Sequence, residues 1–210
     1  MIITSLKRIR GDVELIFDDG SKTLLDYRIV YDNGLRKFDD ISEDMLNTLR
    51  YDSEIVQIKD SAFRFLARRL HSARELSTKL IKKGFDKSLV DETVRSLSKQ
   101  KYLDDNQFAK LLMEEKSVKK RFGINKIKAE LMKKGIDRKI IDSMTDRQDN
   151  DLDESNAVFL AKKKLKLLTE KTNDKRKIKE KLYSYLAGKG YESDTIMKVI
   201  NGLNLEGADS

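Results

Sequence analysis

The 210 residues predict a mainly α protein: tandem three-helix repeats of helix-turn-helix type in an elongated, curved array, preceded by a small N-terminal β-hairpin/helix unit. Three observations carry this reading. From about Ser53 onward apolar residues recur at helical spacing, with no proline to interrupt them. A Lys-Gly-apolar element returns three times, at Lys83-Gly84-Phe85, Lys134-Gly135-Ile136 and Lys189-Gly190-Tyr191, its glycines 51 and 55 residues apart. The first fifty residues instead alternate near period two between turn dipeptides.

At the N-terminus, Ile2–Ile9 and Asp12–Phe17 read as strands flanking a turn at Arg10-Gly11. Asp19-Gly20 is a stronger hairpin signal, expected as a type I′ turn with positive φ at both central residues. Ser21–Tyr27 is the returning strand, and Ile29–Tyr31 a further apolar piece ending at Asn33-Gly34. Ser42-Glu43-Asp44-Met45, leading into Leu46 and Leu49, predicts a short helix with an acidic first turn. Residues 1–52 are therefore expected as one unit, with three-helix repeats over 53–103, 104–149 and 150–210.

In each repeat the glycine suits the left-handed position just past a helix, where a side chain is penalised. The residue after it then meets the last inward residue of that helix: Phe85 with Leu80, Ile136 with Leu131 and Tyr191 with Leu186. All three pairs are apolar, as a Schellman stop requires. Ser72-Ala73-Arg74-Glu75 has capping-box spacing at the start of the first such helix. A helix precedes each of these, with stripes Phe63-Leu66-Ala67-Leu70, Phe108-Leu111-Leu112 and Val158-Ala161-Leu165-Leu168, and another follows. One such unit buries little alone, so stacking supplies the missing core.

Mean hydropathy is −0.61 and no apolar run approaches the roughly 18 residues needed to span a bilayer. Met1-Ile2-Ile3-Thr4 leads into Lys7, Arg8 and Arg10 rather than an apolar signal core, and there is no cysteine. Together these point to the cytoplasm. The net charge of +8 is uneven: residues 1–52 hold 8 Lys/Arg and 11 Asp/Glu, net −3, and the remainder holds 36 and 25, net +11. A basic region beside a mildly acidic one suggests a polyanionic partner, nucleic acid first, against the plainer reading of lysines kept for solubility.

Little in the chain suits catalysis. His71 is the sole histidine and sits in Leu70-His71-Ser72, a loop or cap position rather than a general base. With no cysteine and one histidine, a zinc site is not expected. Asp104-Asp105 reads as a helix N-cap with Gln107 at the third position, in preference to a metal-ligand pair. No phosphate-binding glycine loop or nucleophile elbow occurs, so neither a cofactor nor an enzymatic activity is expected.

The basic residues carry more. With Leu76 and Leu80 inward, Arg74 and Lys82 project outward; the equivalents are Asn125 and Lys133, then Glu180 and Gly188. Lys82, Lys83, Lys133, Lys134 and Lys189 lie in last turns, where they also complement the helix dipole. Arg64, Arg68 and Arg69 lie on or beside the polar face of the first helix. Lys119-Lys120-Arg121, before Gly123, is expected in an interhelical loop. Lys162-Lys163-Lys164 with Lys166, and Lys175-Arg176-Lys177, concentrate charge in the third repeat. Such groups neutralise phosphates without sequence preference. Phe63, Phe85, Phe108, Tyr102 and Tyr191 sit at core or cap spacing, which favours packing over a base-stacking platform.

Specific strings then resemble the RecX family. Phe65-Leu66-Ala67-Arg68-Arg69, Ser72-Ala73-Arg74-Glu75-Leu76 and Lys83-Gly84-Phe85 are similar to its first repeat. Tyr102-Leu103-Asp104-Asp105-Asn106-Gln107-Phe108-Ala109 is similar to its most recognisable string, and Gly123…Ile127…Glu130-Leu131…Lys134-Gly135-Ile136 to its second repeat. The likeness is strongest over about residues 60–137. Phe38 stands where the family pattern has a glycine. The resemblance implies a regulator of RecA in homologous recombination, DNA repair and the SOS response. It would bind the RecA nucleoprotein filament in its groove and inhibit strand exchange and ATP hydrolysis.

The candidates for RecA and DNA contact are Arg64, Arg68, Arg69, Arg74, Lys82, Lys119, Lys120, Arg121, Lys126, Lys133, Lys163, Lys164, Arg176 and Lys177. Non-specific contact with single- and double-stranded DNA, no membrane and a monomeric state are expected. The alternative is an independent helix-turn-helix protein regulating transcription, although no dimerising element is visible. A carboxylate-metal nuclease at Asp104 and Asp105 would require magnesium-dependent cleavage and yields to the capping reading.

Overall fold

The N-terminal alternation forms an antiparallel sheet of order β1-β2-β3, from Ile3–Ile9 (β1), Asp12–Phe17 (β2) and Lys22–Asp26 (β3). The structure, a computed structural model, describes residues 1–145 and 150–203. Pairing sets Leu6 opposite Leu15 and Val13 opposite Leu25, and this register sends Ile3, Leu15, Phe17 and Leu25 into one core. The second hairpin forms at Asp19-Gly20, but not as a type I′ turn. Among the two, only Gly20 has positive φ (79°), with Gly20 N–H donating to the Phe17 carbonyl at 3.1 Å and Phe17 N–H to the Ser21 carbonyl at 3.0 Å. That is a three-residue loop ending in a left-handed glycine, so one strained position suffices instead of two.

Ile29–Tyr31 belongs to a short helix, Tyr27–Asp32 (α1), capped by the Asp26 carboxylate, which accepts the Arg28 N–H at 2.9 Å. It ends at Gly34 (φ 62°) by the same stop expected of the repeats: Gly34 N–H bonds the Tyr31 carbonyl and Leu35 N–H the Val30 carbonyl, with Leu35 and Val30 buried.

The helix expected after Ser42 is much longer than its sequence signal. Glu43–Leu66 (α2) is continuous for 24 residues, with the Ser42 hydroxyl accepting the Met45 N–H at 3.2 Å. Leu46 and Leu49 pack under the sheet, and Ile58 and Ala62 pack on Ala73–Lys82 (α3) and Lys87–Lys99 (α4) with Leu76, Leu80, Val90 and Leu97. The helix therefore runs through residue 52, so the sheet unit and the first three-helix unit share it. The stripe Phe63-Leu66-Ala67-Leu70 is also corrected. The helix stops at Leu66, Phe63 and Leu70 are 40% and 41% exposed, and the inward face is Ile58, Ala62, Phe65 and Leu66. Phe63 instead meets Tyr102 edge-on, ring centroids 5.0 Å apart.

The chain divides into two compact halves, Met1–Leu103 and the residues from Asp104 onward. In the second half Asp105–Glu114 (α5) is capped by the Asp104 carboxylate, which accepts the Asn106 and Gln107 N–H groups at 2.9 and 3.0 Å. A π-helical turn, Glu115–Lys119, follows it, and the buried Asn156 amide donates to the Ser117 carbonyl at 3.1 Å. Ile124–Lys133 (α6) and Arg138–Thr145 (α7) complete this unit around Phe108, Ile127, Leu131, Ile136 and Ile141. Asn150–Thr169 (α8), Lys175–Lys189 (α9) and Ser193–Gly202 (α10) enclose Ala157, Ala161, Leu168, Leu182, Leu186 and Ile196. The boundary expected at 149/150 abuts residues outside those described.

All three repeat glycines are left-handed, at φ 96°, 77° and 91° for Gly84, Gly135 and Gly190. In the second and third units both stop bonds form, Ile136 N–H reaching the Leu131 carbonyl at 3.1 Å and Tyr191 N–H the Leu186 carbonyl at 3.3 Å. Within the second half the third unit's stop also docks on the second unit. Gly123 N–H donates to the Lys189 carbonyl and Asn125 N–H to the Gly190 carbonyl, each at 3.0 Å. The buried Tyr191 hydroxyl donates to the Arg121 carbonyl at 2.8 Å.

Candidate functional site

In the first half the basic residues separate into free and held. Arg64, Arg68, Arg74 and Lys82 are exposed, and no carboxylate of the described residues pairs with them. Arg64 lines an open cleft of about 450 Å³ with Arg28, Asp60 and Phe85. Arg69 is held: its guanidinium grips both Glu75 oxygens at 2.8 and 2.9 Å, which orients the turn into α3. Ser72 meanwhile caps α3, its hydroxyl accepting the Glu75 N–H at 3.1 Å.

His71 is buried in the turn between α2 and α3. Its Nδ1 lies 2.9 Å from the Arg69 carbonyl and its Nε2 lies 2.8 Å from the Lys79 ammonium. The carbonyl can only accept and the ammonium can only donate, so the ring is neutral with its proton on Nδ1. Burial, with Arg69 and Lys79 nearby, pushes its pKa below the ordinary histidine value. This is a structural histidine that fixes the loop carrying Arg68 and Arg69.

In the second half the expected interhelical loop holds for Lys120 and Arg121, while Lys119 is still helical: Lys119 ends the π-helical turn and Lys120 caps it. The extra residue of that turn brings the chain out of the helix later than apolar periodicity suggests. Lys119, Lys120, Lys133 and Lys163 are exposed with no carboxylate partner among the described residues. Arg121 has left-handed φ (50°) and stacks on Phe159, guanidinium carbon 3.6 Å from the ring centroid. Lys126 donates to the Gly188 carbonyl at 3.2 Å and lies over Phe122; Lys164 lies over Tyr185. Arg176 pairs with Glu180 at 3.2 Å and Lys177 with Asp174 at 3.3 Å.

Two features escaped the sequence reading. Arg28 bridges Asp26 and Asp60, holding the Asp26 carboxyl below its ordinary pKa through their hydrogen bonds, and ties α1 to α2. Lys189, assigned to the helix dipole, lies between the Phe122 and Tyr185 rings at 5.7 and 5.6 Å. Neither has a local signal, because the partners are distant in sequence. Asp104 serves as a cap, and no group of three or more histidines or carboxylates among the described residues is placed to hold a metal ion. No helix of the described residues is long and apolar enough to cross a membrane. What this arrangement offers chemically is cationic contact, ammonium and guanidinium groups set on helices and on the turns between them.

Comparison with known proteins adds the family. Models of the first, second and third RecX three-helix domains match residues 59–97, 104–144 and 152–200, in that order. The chain is similar to regulatory protein RecX of Clostridium beijerinckii, 30% identical over 194 residues that cover 92% of this chain and 90% of that one. It is 28% identical to regulatory protein RecX of Clostridium botulinum over 201 residues, 95% and 94% of the two chains. A crystal structure of regulatory protein RecX shares the fold, with a TM-score of 0.72 at 17% identity over 95% of this chain and 98% of that one. With three domains matched in order and likeness along nearly its whole length, the chain belongs to the RecX family of regulatory proteins.

Proposed function

We propose that this chain binds the RecA nucleoprotein filament and modulates, mainly inhibits, its recombinase and ATPase activities. It acts as a non-enzymatic monomer in the cytoplasm, with sequence-independent contacts to single- and double-stranded DNA. The observation that carries the reading is a set of exposed basic side chains, on the helices and helix-ending turns of a RecX chain, that have no carboxylate partner among the described residues: Arg64, Arg68, Arg74, Lys82, Lys119, Lys120, Lys133 and Lys163. Cations with no ion pair to break lose little on meeting phosphates or acidic protein surface, whereas Arg69, Arg176 and Lys177 must first release their partners. RecA ATPase on single-stranded DNA is the test, with this protein substoichiometric to RecA. Inhibition is expected, weakened when Lys119, Lys120 and Arg121 become alanine; no inhibition by the wild type sinks the proposal.

A further inference from the structure

Three lysines from three helices gather on two aromatic rings. Lys126 of α6 lies over Phe122 at 4.4 Å, Lys189 of α9 lies over both Phe122 and Tyr185, and Lys164 of α8 lies over Tyr185 at 5.4 Å. None of the three pairs with a carboxylate of the described residues. Ring faces and the Gly188 carbonyl orient these cations without neutralising them. An anion placed among them would neutralise their mutual repulsion.

The cluster exists only where two three-helix units meet. Lys126 comes from the second unit and Lys164 and Lys189 from the third. They are brought together by the backbone bonds from Gly123 and Asn125 to Lys189 and Gly190. The two units approach closely there, since a Cβ on Gly123 would overlap Gly190 and one on Gly190 would overlap Lys126. Neither unit alone contains the site.

We propose that Lys126, Lys164 and Lys189 form a composite phosphodiester-binding site, read by charge and not by base identity. Ammonium groups are compact donors without the planar fork that selects one carboxylate, and they suit the multiple oxygens of phosphate. Exposed Lys162, Lys163 and Lys166 extend the positive charge along α8, as a polymer charged at every residue requires. This inference rests on the nucleic-acid contact in the proposed function and is independent of RecA.

The test is fluorescence anisotropy of the full chain with a labelled oligothymidylate and, separately, a duplex of equal length, from about 50 to 200 mM salt. Replacing the three lysines by glutamine (K126Q, K164Q, K189Q) should lower the salt slope by about 2 on single strands, and affinity by about tenfold or more, since each phosphate contact contributes roughly 0.7. A control with equal loss of charge (K22Q, K87Q, K99Q) should leave the slope unchanged. K164Q alone, which loses only a ring contact, should lower it by about 0.7 and guards against misfolding of the triple variant. Equal slopes for the two triple variants overturn the site, as does wild-type protein that binds neither strand form. Preference for polyglutamate over both DNA probes overturns it in favour of an acidic peptide. Lost RecA inhibition with intact lysine-dependent DNA binding sinks the proposed function and leaves this site standing.

Discussion

Gly123 and Gly190 meet backbone to backbone: a Cβ on Gly123 would lie 2.5 Å from the Gly190 carbonyl carbon, and one on Gly190 would lie 2.4 Å from the Lys126 Cβ. Gly190 thus has two reasons to be glycine, its φ of 91° and its neighbour. Gly84 has only the first, for its φ is 96° but a Cβ added there would meet nothing within 4 Å. Gly84→Ala should cost about 1–2 kcal/mol, the left-handed penalty alone. Gly190→Ala should add an overpacking cost of about 1–3 kcal/mol. Urea denaturation of the two variants gives the comparison; equal losses would mean that the interunit contact contributes nothing.

Phe38 carries φ 75°, donates its N–H to the Ile3 carbonyl at 2.8 Å and leaves 74% of its surface exposed. The ring therefore contributes little burial while the backbone is strained. Phe38→Gly should be more stable than Phe38→Ala by roughly 1 kcal/mol, because both remove the ring and only glycine relieves the strain. Thermal denaturation of the pair measures it.

Two buried groups give opposite pH dependence. His71 has its pKa lowered, so the unfolded chain protonates first and stability is lost as pH falls from the ordinary histidine value through the folded one. Protonation also sets a second cation against the Lys79 ammonium. His71→Gln should flatten that loss in denaturation curves taken across pH 7 to about pH 5.

Asp153 is buried near Glu192, and its pKa is raised to about 6 from 3.8. Here the folded state holds the proton more tightly, so stability falls as pH rises between those two values. Asp153→Asn should stabilise the protein above pH 6, by on the order of 2 kcal/mol, and have little effect near pH 4. Chemical denaturation of both forms at several pH values tests this sign.

Arg68 and Arg69 are neighbours with different expected roles. Arg69→Ala removes the grip on Glu75 and should cost about 0.5–1 kcal/mol of stability. Arg68→Ala should leave stability within about 0.5 kcal/mol and weaken inhibition of the RecA ATPase several-fold. The reverse pattern would reassign the two arginines.

Local signals explain what the sequence revealed. A left-handed stop needs a glycine and an apolar follower within a few residues, so Gly84, Gly135 and Gly190 were legible, as were the Ser72 and Asp104 caps. Helical phase likewise placed Arg74, Lys82 and Lys133 at the surface. What depended on distant partners was hidden. The Gly123–Gly190 contact joins residues 67 apart in number, and the ring-bound lysines come from three helices. The Arg69–Glu75 pair crosses a turn, so helical spacing did not suggest it. The continuity of α2 was missed because its face changes partners midway, from the sheet at Leu49 to α3 and α4 at Ile58.

That change of partners has a consequence for insertions and deletions. One residue added to a surface loop is absorbed at small entropic cost. One residue added between Leu49 and Ile58 would rotate one core about the helix axis by about 100° relative to the other and shift it by about 1.5 Å. Neither core could then close without the other opening. Length in this stretch is therefore fixed by both the phase and the rise of the helix.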